Sequence, residues 1–105
     1  MQEITLEKIP QQTFSISLGG YKWSLSFRTV KGYTLATVEK DGEKVIDSVV
    51  CSPNMPILPY TYMSVGDFVF ACDNGEYPTY ENFGNSVKLY WLDPADLQEI
   101  LSGAE

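Results

Sequence analysis

Four carboxylates in the second half of the chain, Asp67, Asp73, Glu76 and Glu81, come nearest to a set that could perform general acid–base chemistry. Such chemistry needs two carboxyl groups facing one substrate in environments that push their pKa values apart. All four lie beside turn residues, where Asp and Glu ordinarily shape a turn or stay solvated. The chain has no histidine, which removes the His-centred triad, the imidazole base and the imidazole metal ligand. Its glycines fall at turns, not between a strand and a helix at phosphate-loop spacing. Cys51 and Cys72 leave three readings: two buried thiols, one disulfide, or part of a metal site. Free buried thiols are expected, because no export signal is visible and so wide a spacing lacks the close pairing of zinc ligands. No catalytic residue, metal, cofactor or small-molecule substrate is expected.

The elements that would position these side chains are organised around residues 13–29, TFSISLGGYKWSLSFRT. Phe14, Ile16 and Leu18 alternate with Ser15 and Ser17; beyond Gly19 and Gly20, the residues Tyr21, Trp23, Leu25 and Phe27 alternate with Lys22, Ser24, Ser26 and Arg28. Both arms have the period of a half-buried strand. A two-residue loop at the glycines sets Leu18 opposite Tyr21, Ile16 opposite Trp23 and Phe14 opposite Leu25, so all the large apolar side chains share one face. A slip of one residue would turn one arm's apolar set to water, which fixes the register.

A further two-residue turn at Lys31 and Gly32 would set Phe27 against Ala36 and Leu25 against Val38. Asp41-Gly42 would pair Val38 with Val45 and Glu39 with Lys44. Continuing that register brings Asp47 to the core face opposite Ala36, a conflict that either an end of the ladder or a bulge there would relieve. Residues 13–50 therefore read as a β-meander. In residues 51–67, three prolines (Pro53, Pro56, Pro59) bar a helix or a central strand and make a stiff apolar loop. Residues 68–92 hold two strands and an irregular piece: the DFVFAC run begins at Asp67 and is apolar on both parities, a helical turn is expected to end at Gly84, and Val87, Leu89 and Trp91 mark the last strand. Asp93-Pro94-Ala95-Asp96 is a helix start opening a helix over 94–102. Ile4 and Leu6 suggest a short edge strand near the beginning. The expected fold is mostly β, an antiparallel meander forming a small barrel or sandwich with a short C-terminal helix, in one domain of 105 residues.

The net charge of −7 is unevenly spread: residues 1–44 sum to +1 and residues 45–105 to −8. An acidic surface without a basic stripe repels phosphate backbones, so no nucleic-acid partner is expected. Glu3 and Glu7 interrupt the first residues, and no apolar run approaches the ~18 residues of a membrane span, so neither a targeting segment nor a membrane partner is expected.

The unusual feature is the load of large apolar side chains in irregular segments: Met55, Ile57, Leu58, Tyr60, Tyr62, Met63, Tyr77, Tyr80 and Phe83. Loops normally carry polar surface. Either these side chains fold back to close the ends of the β-structure, or some are exposed and anchor an assembly.

The same half contains PILPYTY (56–62), Gly66, the strand residues Phe68, Val69 and Phe70, then Asp73, Pro78, Tyr80, Glu81, Phe83 and Gly84. In this ordered set, with weaker agreement from residue 13 to Asp93-Pro94, the chain resembles the small baseplate plug proteins of phages with contractile tails. The chain departs from the family pattern at Thr79, where an acidic residue is expected, and at Cys72, where a hydroxyl is. The resemblance implies a non-enzymatic structural protein of the virion tail, made in the host cytoplasm. Its implied partners are other baseplate or tail proteins, and a homo-oligomer is possible within the assembly. The candidate contact residues are Pro53, Met55, Pro56, Ile57, Leu58, Pro59, Tyr60, Tyr62, Tyr80 and Phe83. Two other classes remain open at this point: a small β-barrel with an apolar ligand in its mouth, and an acidic phage-encoded inhibitor of a host protein.

Overall fold

Two antiparallel sheets carry the apolar faces required by the sequence pattern, and they are not closed into a barrel. The computed structural model describes residues 1–59, 62 and 64–103, with the side chains of 100–103 outside that description. In chain order the elements are β1 (Gln2–Ile4), β2 (Gln11–Leu18), β3 (Tyr21–Val30), β4 (Tyr33–Lys40), β5 (Glu43–Val50), β6 (Asp67–Cys72), a 3-10 turn (Tyr80–Asn82), β7 (Val87–Leu92) and α1 (Pro94–Gly103). One sheet has the order β2-β3-β4-β5 and the other β1-β7-β6.

The first hairpin has the expected register: Leu18 pairs with Tyr21, Ile16 with Trp23 and Phe14 with Leu25. The next also follows its turn, with Phe27 opposite Ala36 and Leu25 opposite Val38. The third departs from expectation. Glu39 still faces Lys44, but Val38 pairs with Ile46 instead of Val45, and Ala36 pairs with Val49 after a second shift. Ser48 takes a positive φ of 52° at this irregularity, and its N–H donates to the Thr37 hydroxyl. The cause is Asp47. The shifts keep its carboxylate exposed, where it accepts hydrogen bonds from Thr37, Lys44 and Ser48.

The apolar faces of the two sheets meet in one aromatic core, which makes the arrangement a sandwich. From the four-stranded sheet, Trp23 packs edge-on against Phe68 at 5.2 Å and tilted against Trp91 at 5.4 Å. Phe27 meets Phe70 edge-on at 5.4 Å. Aromatic pairs at such separations add to simple burial, by roughly 0.5–1.5 kcal/mol each. Trp23 is fully buried, and its indole N–H donates to the Leu18 carbonyl at 3.1 Å.

Both cysteines are free and buried. Burial, with a smaller contribution from Cys72, pushes the Cys51 thiol up to about 12, and burial also raises Cys72. Such thiols stay protonated and behave as small apolar groups.

Helix α1 begins as its sequence requires. Asp93 accepts from the Asp96 N–H at 2.8 Å, and Asp96 reaches back to the Asp93 N–H at 3.3 Å, a reciprocal cap. The helix packs against β7, and its Leu97 is buried together with Leu92.

Trp91 imposes a further requirement. A Cβ at Gly66 would lie 2.1 Å from the Trp91 ring, and one at Gly19 would lie 3.1 Å from it. Gly66 also has a φ of +136°, whereas Gly20 has a φ of +84° with open space around it. Gly66→Ala is expected to lower unfolding free energy by about 2–4 kcal/mol, and Gly20→Ala by about 1 kcal/mol from backbone strain alone. Urea unfolding of both variants measures the difference; equal losses would show that the Trp91 contact imposes nothing.

Candidate docking surface

The proline-rich segment is bound to the outer edge of β6 by its own backbone. The Asn54 N–H donates to the Phe70 carbonyl and the Ile57 N–H to the Phe68 carbonyl, at 2.8 and 2.9 Å. Pro56 forms an antiparallel bridge with Val69. Residues 54–57 thus act as a partial fourth strand on the smaller sheet. Proline is tolerated there because an edge leaves one side of the backbone without ladder partners.

Two polar side chains fix this segment. The Asn54 amide pairs with the backbone of Cys72, accepting from its N–H at 2.9 Å and donating to its carbonyl at 3.2 Å. Asn54 adopts a φ of 58°, a conformation asparagine tolerates better than most residues. At the other end the Asp67 carboxylate accepts from the N–H groups of Leu58 at 2.9 Å, Ile57 at 3.1 Å and Phe68 at 2.6 Å. Asp67 is only 3% exposed. Burial raises its carboxyl to about 6, and the three N–H bonds offset part of that rise. Beyond Pro59 the chain turns back: the Pro59 carbonyl accepts from the Tyr62 N–H, and the Tyr62 carbonyl accepts from the N–H groups of Val65 and Gly66.

The second irregular segment is tied to the far end of the larger sheet. Buried Thr34 donates its hydroxyl to the Pro78 carbonyl at 2.7 Å, and the Tyr80 N–H donates to the Thr29 hydroxyl at 3.1 Å. The Ser86 hydroxyl bonds the Glu76 carboxylate. Phe83 stacks on Phe70 at 5.7 Å, and Gly84 follows with a φ of 80°. At the surface, Tyr77 meets Tyr33 edge-on at 5.1 Å.

The expected contact residues divide accordingly. Leu58 and Phe83 are core residues, at 5% and 2% exposure, so in this conformation they close the sandwich and present no surface to a partner. Ile57, Tyr62 and Tyr80 are half-buried against the core, and Pro53 is half-buried as well. Met55 is 57% exposed, and Pro56 and Pro59 are exposed beside it. Tyr60, like Met63 of the wider apolar set, lies outside the described residues. Asn54 and Asp67 were absent from the expected set although they hold it in place. An asparagine among three prolines, and an aspartate opening an apolar strand, were the available signals.

The carboxylates form no acid–base pair within this arrangement. Asp67 is occupied by backbone N–H groups, Glu76 by Ser86, and Asp73 and Glu81 are exposed. Among the described residues no group of three or more His, Cys, Asp or Glu side chains is placed to hold a metal ion, and no helix is long and apolar enough to cross a membrane.

A family model described as cyanophage baseplate Pam3 plug gp18 matches residues 1–94. The chain belongs to this plug family. No curated protein matches it. Membership makes the protein a structural component of the phage baseplate, in the virion tail. The plug-family match takes in both sheets and both irregular segments, and it ends at the first residue of α1.

Asp67 supplies a pH signature of the segment's attachment. Its folded value of about 6 stands above the ordinary aspartate value of 3.8, so the folded state binds its proton more tightly than the unfolded state. The stability it contributes is therefore fully present below pH about 4 and lost as pH rises through about 6. Asp67→Asn keeps an oxygen for the three N–H groups and does not titrate. The stability of the native chain relative to Asp67→Asn is expected to fall by roughly 2 kcal/mol between pH 4 and pH 6. Denaturant unfolding across that range tests it, and a difference that stays flat or rises with pH would contradict it.

Proposed function

We propose that the protein is a non-enzymatic part of a contractile-tail baseplate and docks to other baseplate or tail proteins through the exposed edge of residues 53–59. Family membership over residues 1–94 is the observation that carries this reading. The local geometry supports it: Met55, Pro56 and Pro59 project from a segment already held at both ends by Asn54 and Asp67. A segment ordered before binding loses less conformational entropy on docking. Methionine adapts its shape to a partner, and prolines limit the alternatives of the unbound chain.

The acidic residues 45–105 surround this segment in sequence, and a basic rim on the partner would complement them. No catalytic role is assigned to the carboxylates.

Met55→Asp is the direct test, because its side chain is exposed and the change leaves the core alone. Its unfolding free energy is expected to stay within about 0.5 kcal/mol of the native chain. Its incorporation into tails, measured by complementation of a deletion phage and quantitation of the protein in purified particles, is expected to fall at least about tenfold, as loss of an interface anchor implies. Leu58→Ala, by contrast, is expected to lower stability by about 2–5 kcal/mol. Normal incorporation of a stable Met55→Asp variant would refute the proposed surface.

A further inference from the structure

Of the four sheet edges, three are obstructed. Residues 54–57 cover β6. Strand β1 spans only three residues. Strand β5 is irregular, with two register shifts and a positive φ at Ser48, and it carries Glu43, Lys44 and Asp47. Short strands, bulges and charges are the usual devices that keep an edge from pairing.

Strand β2 has none of them. Its eight residues, QQTFSISL, contain no charge and no proline, and its register with β3 runs unbroken from Gln11 to Leu18. Among the described residues it pairs with β3 alone. The Thr29 N–H donates to the Pro10 carbonyl at 2.8 Å, one step beyond the Gln11–Arg28 pair in the same register. Even-numbered residues of β2 therefore direct their backbone groups to β3, and Thr13, Ser15 and Ser17 direct theirs away from the sheet. On the core side, Phe14 and Ile16 are only half-buried, an apolar rim that a neighbouring strand would cover.

We propose that β2 is a homotypic pairing edge, joined antiparallel about a two-fold axis to β2 of a second copy of this chain. The strand is self-complementary in a single centred register. With Ser15 opposite Ser15 of the second copy, Thr13 faces Ser17 and Ser17 faces Thr13, and these are the residues whose N–H and C=O groups are free. Phe14 then faces Ile16 and Ile16 faces Phe14 at the closer, non-hydrogen-bonded positions, so the apolar rims cover each other and the hydroxyl residues share the outer face. Charge permits the approach, because β2 is neutral and lies in the half of the chain that sums to +1, away in sequence from the residues that sum to −8. An isologous contact of this kind closes at two copies. A single-strand ladder buries less than a standard interface, which implies weak association, with a Kd on the order of ten micromolar.

The full chain is tested for mass by sedimentation at roughly 100 µM, above the range expected for so small an interface. A concentration-dependent species of twice the 11.8 kDa chain mass is expected, and Ser15→Pro is expected to abolish it, since it removes an outward N–H and leaves the β2–β3 ladder intact. The register is read by mild oxidation of Ser15→Cys and Ser17→Cys. Two copies of position 15 meet across the axis within disulfide reach, whereas two copies of position 17 are four residues apart, so cross-linking is expected to be roughly tenfold greater for Ser15→Cys. Should Ser15→Pro fail to fold, this pair still decides. A chain that remains monomeric, equal cross-linking at both positions, or an edge that binds another tail protein while the chain alone stays monomeric would each overturn the proposal.

Discussion

The contact of Trp91 with Trp23 and Phe68 is the joint on which the rest of the structure depends. Trp91 and Phe68 are register partners in the smaller sheet, and Trp23 reaches both from the larger one. The ring of Trp91 needs clearance at two backbone positions, supplied by Gly19 in the first hairpin turn and Gly66 at the start of β6. Gly66 immediately precedes Asp67, whose carboxylate holds the N–H groups of Ile57 and Leu58. The same packing that joins the sheets thus sets the position of the proline-rich segment. Core and proline-rich edge are mechanically one unit.

This coupling explains how a chain of 105 residues gives a fixed shape to segments without regular secondary structure. Backbone polar groups in a buried loop must find partners. Here they find the edge of β6, the Asn54 amide, the Asp67 carboxylate and the hydroxyls of Thr29 and Thr34. Apolar side chains from the same segments, Leu58 and Phe83 among them, then close the sandwich. Among the described residues of these segments, Met55 with Pro56 and Pro59, and separately Tyr77, remain outside. A baseplate component that must fit between neighbours benefits from such prior order, because the entropy of ordering is met on folding and not on assembly.

The hairpins were legible in the sequence because two independent signals agreed: a period-two apolar pattern and turn residues at the right separation. Where the pattern itself carried a conflict, at Asp47 opposite Ala36, it called for an end of the ladder or a bulge there; the ladder instead continues through two register shifts, and the apolar pair Val45-Ile46 offered two equally suitable partners for Val38. The irregular segments were less legible for a physical reason. They have no periodicity to separate the inward Leu58 and Phe83 from the outward Met55, and their restraints are side-chain-to-backbone bonds from Asn54 and Asp67, residue types that are common in ordinary turns. The helix start at Asp93 was readable because a reciprocal cap is a local device with a fixed spacing. For the function, composition excluded chemistries, and the ordered prolines and aromatics of residues 56–84 pointed to the plug family whose model matches the chain.

The central claim, that residues 53–59 form a preordered docking edge, is tested most directly by an electron cryomicroscopy reconstruction of intact tails at a resolution that places side chains. The account predicts that residues 54–57 stay beside β6, with Asp67 still bonded to Ile57 and Leu58, while Met55 is buried against another baseplate or tail protein. A reconstruction in which Met55 faces solvent, or in which the segment leaves β6 to make its contact, would contradict it.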